Sequence, residues 1–318
     1  MRRVTHPVQG FLAALGAVAV LSIMDAVMKH LVLAIGIVAV SVWRAVANLA
    51  ISAGLYLPGR RKWPNRKTLW IHVARSVVVT IMAVLFFWGI GRVPLAQAIA
   101  LTFIAPLIAM VLAPLFLNER LAGRSIAGAL AALTLHEKIG SRSIAGSIVA
   151  FAGVLTIVLG QVRAEVSHDV LLGTGAIIGS ALCYAVNIVL MRHQALAARP
   201  LEITFFQSLV VTILWLAVVP FLGLPLWPEA HWWLWIVIAA VMSTTGALLF
   251  AFAYARAEAS YLAVTEYSAF LWASALGWLV FHERVTGYTL AGALLIVGGC
   301  LLASRRIRTA TAEMEVAA

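Results

Sequence analysis

Apolar residues do not alternate with polar ones along this chain. They come in unbroken runs, separated by short segments that hold most of the charge. One run reaches from about Val8 to Met28. Others cover roughly 35–57, 69–91, 97–117, 142–160, 170–190, 202–222, 232–254, 262–281 and 287–303. An α-helix needs about 20 such residues to cross the ~30 Å hydrocarbon core of a bilayer. Runs of that length, apolar on every side, predict ten transmembrane helices. No stretch alternates as a barrel strand would, so backbone groups in lipid must be satisfied within helices. The first run is too long for a signal-peptide core, and no small-residue cleavage site follows it.

Composition sharpens this reading. Of 318 residues, 63% are hydrophobic and 11% charged, against roughly 25% charged in a soluble domain. Mean hydropathy is +1.01. A soluble globular protein, a disordered chain and a disulfide scaffold are thereby excluded. The two cysteines, Cys183 and Cys300, lie within apolar runs. The net charge of +11 is not a nucleic-acid signature, because its distribution follows the loops. With the N-terminus inside, 17 of the 23 basic residues fall on inner segments, among them Arg60, Arg61, Lys62, Arg66 and Lys67. Lys29, Arg92, Arg163 and Arg284 fall on outer ones, while Arg44 and Arg75 lie within helices. The positive-inside rule then places both termini in the cytoplasm. Trp227, Trp232, Trp233 and Trp235 crowd one outer loop and read as an interfacial belt.

The chain also repeats itself. Residues 86–130 align with 250–294 at a constant offset of 164, through Phe86/Phe250, Arg92/Arg256, Glu119/Glu283 and Gly123/Gly287. The first helix aligns with the sixth at offset 163, where Met28-Lys29-His30 meets Met191-Arg192-His193. Two five-helix halves follow, and an odd number of spans per half inverts the second against the first. Inverted repeats are a recurrent architecture of secondary transporters. A shorter duplication lies inside the first half: LAPLFLNERLAGRSIAGA at 112–129 is followed by LAALTLHEKIGSRSIAGS at 130–147. The fifth helix matches the tenth at offset 146, so the first half carries one surplus 18-residue unit, about 121–138. Eighteen residues are five turns at about 3.6 per turn, which preserves helical phase. The unit reads as an inner interfacial or partly re-entrant helix, either a tolerated duplication or a regulatory gate.

At this point the residues resemble a known group. Gly91-Arg92-Val93-Pro94-Leu95-Ala96-Gln97-Ala98, a mid-helix Pro106 and Asn118-Glu119-Arg120 are similar to the first EamA repeat of the drug/metabolite transporter superfamily. The second copy is similar through Tyr254-Ala255-Arg256-Ala257-Glu258-Ala259-Ser260, Glu266-Tyr267, Trp272, Gly277-Trp278 and Phe281-His282-Glu283-Arg284. The resemblance covers about residues 8–304. It implies an all-α carrier with ten transmembrane helices in two repeats, 8–160 and 170–304, followed by a cytoplasmic tail at 305–318. It also implies alternating access around a central cavity in a bacterial inner membrane. Members of the superfamily move amino acids, vitamins such as riboflavin, S-adenosylmethionine and drugs. The surplus unit departs from the family pattern.

Charges within a membrane are costly and mark candidate sites. Asp25 and Arg44 sit at comparable depth in the first two helices, as either a substrate site or a static pair. Arg75 lies in the inner part of the third helix. Glu266 lies early in the ninth, with Tyr267 and Trp272 as aromatic walls; it is either a proton-coupling carboxylate or a partner of Arg256. Gln97, Tyr184, Asn187 and Gln207 complete the substrate-binding candidates, with interhelical hydrogen bonding as the plainer role of each. Pro106 and Pro114 predict a bent fourth helix. Glu119, Glu137 and Glu283 read as interfacial helix ends. No His/Cys spacing suggests a metal, and no glycine-rich phosphate loop suggests ATP. The expected partners are a small-molecule substrate and the lipid bilayer, with no nucleic acid, no cofactor and no enzymatic role; assembly is open, a homodimer included. The rival readings are a membrane enzyme on lipid-linked substrates and a non-transporting regulatory subunit.

Overall fold

The computed structural model describes residues 7–59, 63–109, 141–163, 167–221, 227–254, 256, 262 and 265–316. The surplus unit, Pro114, Glu119 and Glu137 lie outside the described residues. Ten α-helices are described: α1 (Pro7–Ile35), α2 (Ile37–Tyr56), α3 (Arg66–Ile90), α4 (Leu95–Thr102), α5 (Ser141–Arg163), α6 (His168–Ala197), α7 (Pro200–Val218), α8 (Trp232–Tyr254), α9 (Ser268–Phe281) and α10 (Gly287–Val316). There is no β-strand among the described residues. Among the described residues, six helices, α1, α2, α3, α6, α7 and α8, are long and apolar enough to cross a membrane.

Local chemistry sets the helix ends. The Asn65 side chain accepts from the Thr68 amide at 2.8 Å and caps α3, satisfying an orphan donor of the first turn. Pro200 opens α7, where a missing N–H costs nothing. A single residue, Gly36, joins α1 to α2 at φ +78°, a backbone geometry that glycine adopts without a Cβ penalty.

The fourth helix breaks where proline requires it. After Thr102 the chain makes a tight turn at 103–104 before helix resumes to 109. Phe103 and Ile104 donate three residues back, to Ala100 and Leu101. Pro106 has no N–H to give, and its ring opposes the carbonyl of Thr102. The ninth helix shows a turn at Tyr267, and Phe270 donates three residues back to Tyr267.

The helices pack in pairs: α5 on α10, α3 on α6, α1 on α8, and α2 on α7. Exchanging each helix for the one five places along the chain maps α3·α6 onto α8·α1 and α3·α7 onto α8·α2. Small residues make the closest of these contacts. A Cβ on Gly153 would meet the Gly292 carbonyl oxygen at 2.6 Å, and one on Gly299 would meet the Ala150 amide nitrogen at 2.7 Å. Backbone approach of this kind is how apolar helices gain van der Waals contact without a hydrophobic driving force. A continuous core runs through Met28, Phe87, Leu101, Ile157, Ile177 and Ile296. Leu33, Leu55, Ile213, Leu234, Leu271 and Leu294 remain exposed, as the outer surface of a lipid-facing bundle requires.

Candidate functional site

The first helix runs seven residues past the predicted end at Met28, which changes the role of Lys29. It is not a loop cation. It lies inside α1, 4% exposed, and its ammonium makes an ion pair with Glu283. It also donates to the Val93 carbonyl at 2.7 Å. The second Glu283 oxygen accepts from the Leu95 amide at 2.8 Å. Glu283 reaches this position because His282 turns left-handed at φ 56° directly after α9. One partly buried pair therefore joins α1, the α3–α4 turn and the α9–α10 turn, and Glu283 is more than an interfacial helix end.

One turn earlier on α1 stands Asp25, half-buried. The positive charge acting on it is Arg44 of α2. The carboxylate and the guanidinium act on each other through their charges and form no ion pair of the kind that joins Lys29 to Glu283. The Arg44 guanidinium instead lies over the Phe87 ring, 5.1 Å from its centroid. Its Nε is buried without a hydrogen-bond partner. The Gln97 amide nitrogen, at the start of α4, is buried and unpartnered in the same way. Orphaned donors of this kind cost about 1–3 kcal/mol each.

Arg75 belongs to a second polar group. It is buried on α3 and donates from Nε to the Asn187 oxygen at 2.9 Å and from Nη1 to the Gln194 oxygen at 2.5 Å. The Gln194 nitrogen lies 2.5 Å from His72 Nδ1, and His72 Nε2 lies 3.3 Å from Glu202. His72 is fully buried and stacks on Phe206, with centroids 5.0 Å apart. Asn187 and Gln194 are seven residues apart and share one face of α6. Thr68, His72, Arg75 and Ser76 form a buried polar stripe on α3, while Leu69, Trp70, Val77 and Ile81 on the same helix are exposed. This polarity is the reverse of a soluble helix and marks α3 as solvated by lipid. Tyr184 acts electrostatically on Arg75 and packs beside Ala105 and Ala109.

The remaining candidates divide. Tyr267 meets the Phe103 ring edge-on at 5.3 Å and lies beside the Cys300 thiol, which acts on it electrostatically and donates to the Phe103 carbonyl at 3.3 Å. It thus ties α9 to α4 and α10. Glu266 is half-buried next to it. Arg256, just past the end of α8, reaches back to it, donating to the Phe252 carbonyl at 3.2 Å and stacking on the Phe252 ring. Its sequence counterpart Arg92 does the same with Trp88. Trp272 is 39% exposed and stands with Leu271, Ala275 and Leu279 on the outward stripe of α9, away from Tyr267. Gln207 is half-buried on α7. The tryptophans of the predicted belt pack on the ends of α1 and α2: Trp43 meets Trp227 and Trp233, and His30 meets Trp232 and Trp235.

Neither Lys29–Glu283 nor His72, Gln194 and Glu202 stood out in the sequence. The signal for the second group was present: His72 and Arg75 are three apart inside an apolar run, which puts both on one helix face.

Comparison with known proteins agrees with this architecture. The chain is 26% identical to a riboflavin transporter of Vibrio cholerae, over 92% of this chain and 91% of that one. It is 25% identical to a pseudopaline exporter of Pseudomonas aeruginosa, over 76% and 77%. An uncharacterized transporter of Helicobacter pylori is 27% identical over 73% and 72%. One solved crystal structure superposes with a TM-score of 0.59 over 93% of this chain and 98% of its own, at 18% identity, and shares the fold. The model of the EamA-like transporter family matches residues 8–134 and 171–305. These helices, their buried charges and the two matched segments make the chain a multi-pass membrane protein that belongs to the EamA-like transporter family.

Proposed function

We propose that the chain is a secondary carrier. It moves a small polar or amphipathic metabolite across a bacterial inner membrane by alternating access, with both termini cytoplasmic. The repeats are 8–160 and 170–304, the second inverted. The exchange symmetry of helix packing and the matching conformations of Arg92 and Arg256 support that duplication. In this orientation the Lys29–Glu283 pair closes the outer face, and the His72–Arg75 network lies toward the inner one. The substrate class is amino-acid-like, vitamin-like or S-adenosylmethionine-like; relatives named for riboflavin and pseudopaline support a polar organic solute.

One observation carries the reading: the Arg44 Nε buried without a partner, with the Asp25 charge acting across from it. A scaffold pair would be in contact. Groups of opposite sign held apart, with donors unspent, suit a solute bearing both an anionic and a cationic or hydrogen-bonding group. Gln97 adds a second unspent donor on the same first half. Arg75, Tyr184, Asn187, Gln207, Glu266 and Tyr267 are secondary candidates for contact with the solute or with coupling protons. Trp272, on the outward stripe, is the weakest of the set.

Reconstitution into liposomes tests this. Radiolabelled riboflavin, an amino-acid mixture and S-adenosylmethionine are offered in parallel, with and without a proton gradient. Flux of one of them without chemical change, lost in Arg44→Ala, is the expected result. Chemical conversion of the solute, or flux unaffected by Arg44→Ala and Asp25→Asn together, overturns the reading.

A further inference from the structure

The network around Arg75 has a directionality fixed by hydrogen-bond chemistry. Arginine only donates, so the Gln194 atom facing Arg75 Nη1 is the carbonyl oxygen. The other end of that amide, an NH2 donor, then faces His72 Nδ1. Nδ1 must accept, so His72 is the neutral tautomer with its proton on Nε2, donating to Glu202. Each link depends on the one before it. Gln194 and His72 are fully buried, so no bulk water is at hand to relieve a mismatch.

We propose that His72 is a proton-operated switch: one proton taken up on Nδ1 turns the Gln194 amide over and releases Arg75 to bind an anionic group of the substrate. The step consumes one proton from water and breaks no covalent bond. Imidazolium carries N–H on both nitrogens, so Nδ1–H and the Gln194 NH2 face each other as two donors. Rotating the amide by half a turn puts its oxygen on Nδ1–H and its NH2 on Arg75, again two donors. Arg75 keeps Asn187 through Nε and loses its Nη1 partner, which becomes free for a carboxylate or phosphate. Glu202, 17% exposed at the side chain, is the least buried end of the chain of side chains. The charged groups acting on His72 are Glu202 from α7 and Arg75 on its own helix. From α6 it faces the neutral Gln194, and the Phe206 ring covers its plane. The anion-binding half of the proposal rests on the carrier reading; the switch itself does not.

The test uses full-length protein in nanodiscs, labelled with 15N at histidine and arginine side chains. His72 is assigned by loss of its signals in His72→Gln, and Arg75 Nε by Arg75→Lys. At high pH the His72 nitrogens should report the Nε2–H tautomer. On acidification toward pH 5, Arg75 Nε should shift with the same midpoint as His72. In Gln194→Met the two should uncouple, with His72 still titrating and Arg75 unmoved. In Gln194→Glu, whose carboxylate accepts from both sides, His72 should stay protonated to higher pH than in the wild type. An Nδ1–H tautomer, a His72 signal that is constant from pH 9 to 5, or an Arg75 shift that survives Gln194→Met would each overturn the switch. None of these outcomes depends on solute flux, so failure of the switch and failure of the carrier reading are separable.

Discussion

Phe103 and Tyr267 meet edge to face at the centre of the bundle, with ring centroids 5.3 Å apart and planes at 89°. They are also 164 residues apart, the offset at which the two halves of the sequence align. Contact between corresponding residues is what the proposed inverted duplication expects close to its two-fold axis. Each sits at a break in its own helix, one before Pro106 and one at the start of α9. Replacing Phe103 with Ala should remove about 3–5 kcal/mol of packing, read as a lower melting temperature in detergent. Tyr267→Phe keeps the ring contact and should be much milder, losing only the hydroxyl.

The Lys29–Glu283 pair predicts an asymmetric mutational pattern. Lys29→Met alone strands a carboxylate, and Glu283→Leu alone strands an ammonium. Breaking a fully buried pair from one side costs about 3–5 kcal/mol, and the partial exposure of Glu283 puts this pair toward the lower end of that range or below it. Removing both should recover part of that loss, leaving the Leu95 amide and the Val93 carbonyl without these partners at about 1–3 kcal/mol each. A double-mutant cycle on thermal unfolding checks it, and additive single effects would contradict the buried contact.

Two pairs of glycines separate close packing from open space. Gly153→Ala and Gly299→Ala must push α5 and α10 apart, at about 1–3 kcal/mol each for overpacking. At Gly16 and Gly54 a Cβ would meet nothing within 4 Å. Alanine there should be neutral or stabilise by up to about 1 kcal/mol through helix propensity. Melting curves of the four variants, prepared alike, decide.

For transport, Arg44→Ala should lower solute flux at least about tenfold, the equivalent of about 1.4 kcal/mol, with the protein still folded. Arg44→Lys keeps the charge but not the planar fork, and should restore only part of the flux. Proteoliposome uptake at matched protein density measures both.

Much of this was legible beforehand because lipid simplifies the code. The ten apolar runs each contain a described helix, and most described ends lie within a few residues of expectation, since apolarity marks each span and local caps and turns trim it. Pro106 announced the break in α4. What escaped was set by helix overrun and by tertiary approach. Lys29 looked like a loop residue because the apolar run falters there, yet α1 continues to Ile35. Glu283 looked terminal until His282 turned the chain back toward Leu95. His72 drew no notice beside Arg75, since a single imidazole in a span has no period of its own. Asp25 and Arg44 were readable as opposed charges, but the seating of the Arg44 guanidinium over the Phe87 ring is a tertiary contact that no spacing encodes.

The one-residue corner at Gly36 has a geometric consequence for those two charges. Asp25 lies eleven residues before it and Arg44 eight residues after it, or ~16 and ~12 Å along their helices at ~1.5 Å per residue. With no slack between the two helices, the corner works as a caliper, setting the gap between carboxylate and guanidinium from one end. A single residue added there would carry Arg44 about 100° around its axis, off the face that Asp25 addresses.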